Sequence, residues 1–480
     1  MWPMLAMLVA TAAQATPRGA EIDAALAALT MSQSATEAQT VAQALRARFG
    51  LTAAGITLPP SQTTFVTGGA AVIELVDMRL LLAQIAVQTG AKDHLALARA
   101  QAAGVHQVVL LRGGYVTLAE LQSLMASSAA AAFVTGGPQG VTLTRALVLW
   151  SDAGLTLSSG DSLILSRADG SFLANLGWLN IDGASVSGSQ AANVGEPGFR
   201  PFVLTAGRGS LTVSNANFDH LGFGETPRFG GVSVDNSGLE PPATPPIIAA
   251  SHFTDVRALA LISTRSATAT ANTMTGSGIM IAHSVNTTVT DNLLNGATTA
   301  AIRITSGSVQ TLVADNIILG APVGISADQA SRRITLSGNV LAGQDTSGIR
   351  LDKVECADVT GNMTVLGGGS GISLSGTGRV AIAGNAILDN LGSGILLRGQ
   401  GDKASVKVTG NQFAGNHEGL RGATAGSLTV TGNDLEGQLP RLFSGDLSPR
   451  TIAWLEERRS HGPTRLQFDP IPVCPDEGKF

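Results

Sequence analysis

Arg303, Asp328, Arg350 and Asp352 stand at matching places in three short apolar runs, AAIRIT, VGISAD and SGIRLD. A guanidinium meets a carboxylate through paired, charge-assisted hydrogen bonds. Two arginines held at fixed spacing on one surface therefore suit a shallow groove that takes an extended acidic sugar chain. The same four charges also suit a ladder of surface ion pairs that keeps a flat sheet soluble. His283 closes the related run SGIMIAH. Imidazole changes charge near neutral pH, so His283 is the candidate catalytic base or else a polar turn residue. His220, in NFDHLGFG, opens a loop and reads either way. Other chemistries lack their motifs. The chain has no GxxxxGK phosphate cradle, no HExxH or CxxC pair, and no GxSxG elbow in a strand–turn–helix setting. Neither a cofactor nor a metal is expected.

These side chains are spaced by a repeat. The segments ATAN, VTDN, VADN, LSGN, VTGN, IAGN, VTGN and VTGN end in Asn272, Asn292, Asn316, Asn339, Asn362, Asn385, Asn411 and Asn433, a mean spacing of 23 residues. Asn217 in SNANF and His252 in AASHF read as earlier copies with longer insertions. Between ladder points lies a second strand: SGIMIA, AAIRIT, VGISAD, SGIRLD, SGISLS, SGILLR. The period is too short for a propeller blade and lacks a leucine-rich consensus. It predicts an all-β chain wound as a parallel β-helix, each coil lying on the last. Ile279, Ile302, Ile325, Ile349, Ile372 and Ile395 would stack inward as one file. The asparagines would form a ladder at one corner, where a left-handed backbone is tolerated. Alternation puts Met280, Arg303, Ser326, Arg350, Ser373 and Leu396 outward, and then Ala282, Thr305, Asp328, Asp352, Ser375 and Arg398. His283 falls one place past Ala282, so it should turn into the corner and bond a backbone carbonyl.

Composition bounds the rest. Charged residues make up 14% and aromatics 4% of 480 residues, with 58 glycines and a hydrophobic share of 44%. That excludes a disordered polyelectrolyte, and the apolar runs are too short for a membrane-spanning helix. Thirty basic against 35 acidic residues give a net charge of −5. With so few aromatics, nucleic acid would find neither a basic field nor a stacking platform. Residues 1–15, MWPMLAMLVATAAQA, end in the small-x-small pattern Ala13-Gln14-Ala15 and read as a secretory signal, or as a short buried helix. Residues 16–139 form a mixed N-terminal region, helical over 20–50 and 78–130. Within it VHQVVLLRGGYVTLAEL reads as strand, turn and helix start, with Thr117 and Glu120 as a capping box. The N-terminal helices could cover one open end of the stack. Coils occupy about 140–440, and 441–480 supply a cap and tail with a short amphipathic helix over 448–462. Cys356 and Cys474 suit a bridge or two free thiols equally.

The stretch from about Val141 to Gly437 resembles the periplasmic mannuronan (alginate) C5-epimerases, which are right-handed parallel β-helices. The resemblance rests on ADGSFLANLGWLNIDGASVSG (168–188), FRPFVLT (199–205), and SNANFDHLGFG (214–224) followed by RFGGVSV (228–234). The family carries a catalytic Asp-Pro-His-Asp motif directly after a coil's Gly-Ile. Here Gly278-Ile279 is followed by Met280-Ile281-Ala282-His283, so the motif is not retained and His283 stands one residue late. The family's arginine at the end of the following strand is also absent, with Arg303 three residues earlier.

The resemblance implies a periplasmic or secreted protein and an acidic exopolysaccharide as partner. It leaves contact with exopolysaccharide export machinery open. C5 epimerisation and the related β-elimination need a neutralised uronate carboxylate, a base at C5, and an acid on the opposite face or at O4. In an epimerase or lyase on this frame, Arg303 and Arg350 would neutralise carboxylates and His283 would be the base. The alternative is a non-catalytic polysaccharide-binding or export-scaffold protein. A structural solenoid without a sugar ligand is the third reading.

Overall fold

The computed structural model describes residues 17–55, 69–89, 94–101, 106–137, 140–189, 199–224, 226–238, 241–424, 426–438 and 440–461. The chain winds into a right-handed parallel β-helix of about 13 turns with about 23 residues per coil. Among the described residues, sheet 1 has 15 strands, sheet 2 has 13 and sheet 3 has 14. In sheet 1 the six isoleucines pair in register from Ile279 to Ile395, and none is more than 1% exposed. The recurrent glycine before them has a steric cause. A Cβ on Gly371 would lie 2.6 Å from Ile387 Cγ2 across the coil and 2.8 Å from the Gly394 carbonyl oxygen on the next one.

The asparagine ladder forms between sheets 2 and 3. Asn339 donates from its backbone N–H (3.0 Å) and from Nδ2 (2.8 Å) to Asn362 Oδ1, and from Nδ2 to the Val313 carbonyl (2.9 Å). Each buried amide is thus saturated by its neighbours, which is the condition for keeping it inside. The left-handed backbone falls on the residue before each asparagine, for example Asp291 (φ 58°), Asp315 (φ 55°) and Gly338 (φ 65°). Two expectations shift by one position. Asn217 and His252 pair in register with Thr273, one place beyond the ladder. The ladder instead continues through Ser251, whose N–H donates to Asn272 Oδ1 and whose Oγ accepts from the Ala216 N–H.

Six helices surround the coils among the described residues: α1 (Pro17–Met31), α2 (Ala35–Arg48), α3 (Met78–Thr89), α4 (His94–Arg99), α5 (Leu118–Ala126) and α6 (Arg450–His461). The strand, turn and helix start read from VHQVVLLRGGYVTLAEL are Gln107–Arg112, Tyr115–Thr117 and α5, with the Thr117–Glu120 capping box formed. Leu118, Leu121 and Met125 of α5 enter the solenoid core and close one end. Gln107–Arg112 already lies parallel to Leu147–Leu149 in sheet 1, so coils begin upstream of residue 140. Val72–Asp77, which the sequence does not mark as a strand, covers the edge of Gln107–Arg112 in antiparallel pairing. At the far end α6 brings Trp454 against the core. Cys356 is disulfide-bonded, and Cys474 lies outside the described residues, as do residues 1–15.

Helices α1 and α2 do not cap an end. They lie along the flank of sheet 3, because its outward file is apolar: Leu293, Ile317, Val340, Met363 and Ala386 pack under Leu29, Ala38, Ala42 and Leu45. Arg46 is 1% exposed at this seam. Its Nε donates to the Gly338 carbonyl at 2.8 Å, its Nη1 to Gln39 Oε1 at 3.2 Å, and its Nη2 lies 3.9 Å from Asp315 Oδ1. Asp315 also accepts from the N–H groups of Ala54 and Gly55 at 2.8 and 3.0 Å.

Burial and then the Asp315 charge push the nearby Asp291 carboxyl up, against the opposing effects of Thr290 and Arg46. A carboxyl raised in the folded state favours folding at low pH, and that advantage is lost as pH rises through its folded value. Asn also tolerates the left-handed backbone at this position. Asp291→Asn is therefore expected to raise the melting temperature by about 1–2 °C at neutral pH. The gain should vanish below the ordinary carboxylate range, as thermal melts across pH would show.

Candidate functional site

The outward face of sheet 1 changes character along the solenoid. In the early coils Phe199, Phe202, Phe223 and Phe229 pack with Phe172 over Val148, Ala174 and Leu204, and α3 covers them. Phe172 and Phe202 stack at 4.8 Å between ring centroids. The sequence motifs FRPF, LGF and RFGG thus supply a covering layer for an apolar sheet face. From strand Ala300–Thr305 onward the face carries polar side chains.

There the register sets Met280, Arg303, Ser326, Arg350, Ser373 and Leu396 side by side on successive coils. Neighbouring strands lie about 4.8 Å apart, so the backbones of Arg303 and Arg350 are separated by about 9.6 Å. Both arginines are exposed. Arg303 Nη2 meets Asp328 Oδ2 at 3.1 Å, and the Thr305 hydroxyl donates to Asp328 Oδ1. The Arg350 side chain forms no hydrogen bond or ion pair with the described residues, nor does that of Asp352 two places along its strand. A complete ladder of ion pairs would have engaged both. Between the arginines, the Ser326 hydroxyl is buried and has no hydrogen-bond partner among the described residues.

Sequence reading misses the continuation of this face. Strand Glu418–Thr424 pairs Glu418 with Ser393 and Arg421 with Leu396. The Ser393 hydroxyl donates to Glu418 Oε1 at 2.6 Å, and Arg421 Nη1 lies 3.5 Å from the same oxygen. Burial pushes the Glu418 carboxyl up, but the Ser393 hydrogen bond and the Arg421 guanidinium outweigh it and hold the group below the usual carboxylate range. The coil is disguised because EGL replaces the Ser-Gly-Ile of its neighbours. Its spacing from Asn411 and Asn433 is the signal that would have found it.

His283 stands at the corner after strand Gly278–Ala282, exposed, with φ 53°. Ser263, Ser306, Gln329 and Lys353 take the same left-handed position on neighbouring coils. The expected bond from His283 to a backbone carbonyl is not made among the described residues. Ala282, expected to face solvent, is 6% exposed, lying in register between Ile262 and Thr305. His220 occupies a different corner (φ 55°). Its Nδ1 is 2.6 Å from Asp219 Oδ2 and its Nε2 3.8 Å from Asp255 Oδ2. Arg200 Nη2 meets the same Asp255 oxygen at 2.9 Å, tying the FRPF segment to the coil corner. His220 and His283 are therefore not brought together.

Residues 249–435, short of half the chain, match the family of NosD, periplasmic copper-binding protein. No curated protein matches the chain in sequence. Among solved structures, the periplasmic alginate epimerase AlgG is similar at 18% identity and a TM-score of 0.65, covering 78% of this chain and 100% of that one. A point mutant of AlgG gives 18% and 0.68, covering 79% and 100%. The two chains share the fold. The histidines inside the NosD match, His252, His283 and His417, lie on different strands and corners, and Cys356 is disulfide-bonded. Among the described residues no three His, Cys, Asp or Glu side chains gather as metal ligands. That donor set does not fit a copper centre. Among the described residues, no helix is long and apolar enough to cross a membrane.

Proposed function

We propose that this protein binds an extended acidic polysaccharide along the outward face of sheet 1, from Met280 to Arg421, outside the cytoplasm and without epimerising it. The signal-like pattern of residues 1–15 and a fold shared with a periplasmic alginate epimerase support this setting. The observation that carries the reading is the row Arg303, Ser326, Arg350. Among the described residues it holds an arginine without an internal partner, Arg350, and a buried hydroxyl without a hydrogen bond, Ser326, on adjacent coils of one face. A sugar carboxylate and a ring hydroxyl would satisfy both, and a charge-assisted bond of that kind contributes roughly 1.5–3 kcal/mol.

Catalysis finds less support. Met280 and Ala282 offer neither acid nor base, and His283 sits in the corner file rather than in the arginine file. A general base must come within about 2.6–3.2 Å of its proton or reach it through one water.

The test is titration of the purified protein with polymannuronate. Arg303→Ala/Arg350→Ala is expected to weaken binding at least about tenfold and to flatten its salt dependence. Unchanged affinity would leave the arginines as solubilising charges. Conversion of mannuronate to guluronate by the wild type, abolished in His283→Ala, would restore the enzyme reading.

A further inference from the structure

Sheet 2 carries a second feature, away from the arginines. Tyr115, Gly154, Trp178 and Ser210 lie side by side on successive strands. Thr156, Asn180 and Thr212 run beside them two places along the same strands and share a shallow hollow with them. Gly154 lies under the Tyr115 ring. A Cβ there would lie 2.3 Å from Tyr115 Cδ1 and 3.3 Å from Trp178 Cβ, so only a bare backbone accommodates the Tyr115 ring beside Trp178. The chain has one tyrosine and four tryptophans, and two of these five line this hollow, half-buried, on an outward face. Ser210 is 4% exposed, and its hydroxyl is buried without a partner among the described residues. Among the described residues no charged side chain lines the hollow.

The geometry points to a carbohydrate subsite on sheet 2 that takes an uncharged sugar ring. Aromatic faces offer apolar contact at low entropic cost, and a few fixed polar groups set orientation. Tyr115 and Trp178 supply the first, and Ser210 with the amide of Asn180 supply the second. A uronate would find no cation in the lining. The subsite lies on a different sheet from the arginine face and does not depend on that face binding anything.

Cellohexaose is the probe, added to the full chain while tryptophan emission is followed. The expected result is a saturable change in emission that is indifferent to salt. Trp178→Leu should lose it, with affinity down at least tenfold, and Asn180→Ala, whose side chain makes no hydrogen bond among the described residues, should weaken it. Arg303→Ala/Arg350→Ala should leave it unchanged. If Trp178→Leu melts early, Asn180→Ala decides. No saturable change, or full binding in both sheet-2 variants, overturns the proposal. Loss of cellohexaose binding in the arginine variant overturns it too, by placing the sugar on sheet 1.

Discussion

Replacing Arg46 with alanine is expected to cost about 3–5 kcal/mol, the range for removing one partner of a buried ion pair. Asp315 would be left 3% exposed without its cation, and the Gly338 carbonyl would lose its donor. Burial already works against the Arg46 charge, which the Asp315 and Asp291 carboxylates sustain. The loss should therefore fall on the docking of α1 and α2 on sheet 3. Limited proteolysis should cut residues 17–55 well before the coils open. Arg46→Met/Asp315→Asn should recover much of the loss, since it removes both charges. An Arg46→Ala protein whose helices stay protected would show that apolar contact alone holds them.

Ile349→Ala is expected to cost about 2–5 kcal/mol, as for a large aliphatic removed from a packed interior. Ile349 is 0% exposed and stacked between Ile325 and Ile372. A solenoid coil contacts only its neighbours, so the damage should be local. Hydrogen exchange should accelerate most in strands Val323–Ala327, Ser347–Asp352 and Ser370–Ser375. An even loss of protection along the whole chain would mean that the coils unfold as one unit.

Much of this architecture is legible because a coil repeats the same physical problem. An inward isoleucine, a glycine where a Cβ would strike the opposite wall, and an asparagine that must bond the next coil all recur at the coil period. Alternation then assigns Arg303 and Arg350 to one outward file without further information. What the sequence conceals is where outward faces are covered. Leu293, Ile317 and Val340 look like further core residues, and nothing local says that a helix pair from residues 17–48 lies over them. The second ladder, in which Asn390 donates to Asn416 Oδ1 and Asn416 to Gln438 Oε1, is hidden because glutamine substitutes for asparagine at its end. The aromatic motifs are legible as a resemblance, yet their side chains serve packing. Tyr115 and Trp178 lie 63 positions apart in sequence and line one hollow because their strands flank that of Gly154.

The docking of α1 and α2 on sheet 3 sets an order of events in folding. Gln39 bonds the Asp315 carbonyl across 276 positions, Arg46 reaches Gly338 across 292, and Gln412 Nε2 donates to the Phe49 carbonyl across 363. These helices therefore wait for their binding surface until coils hundreds of residues downstream have been laid down. Coils can meanwhile be added one by one onto the end closed by α5. The helices that emerge before the coils are thus among the last to reach their final place, and their apolar faces stay open to any escort until then. Their arrival marks the point at which the coils through Gln412 are complete.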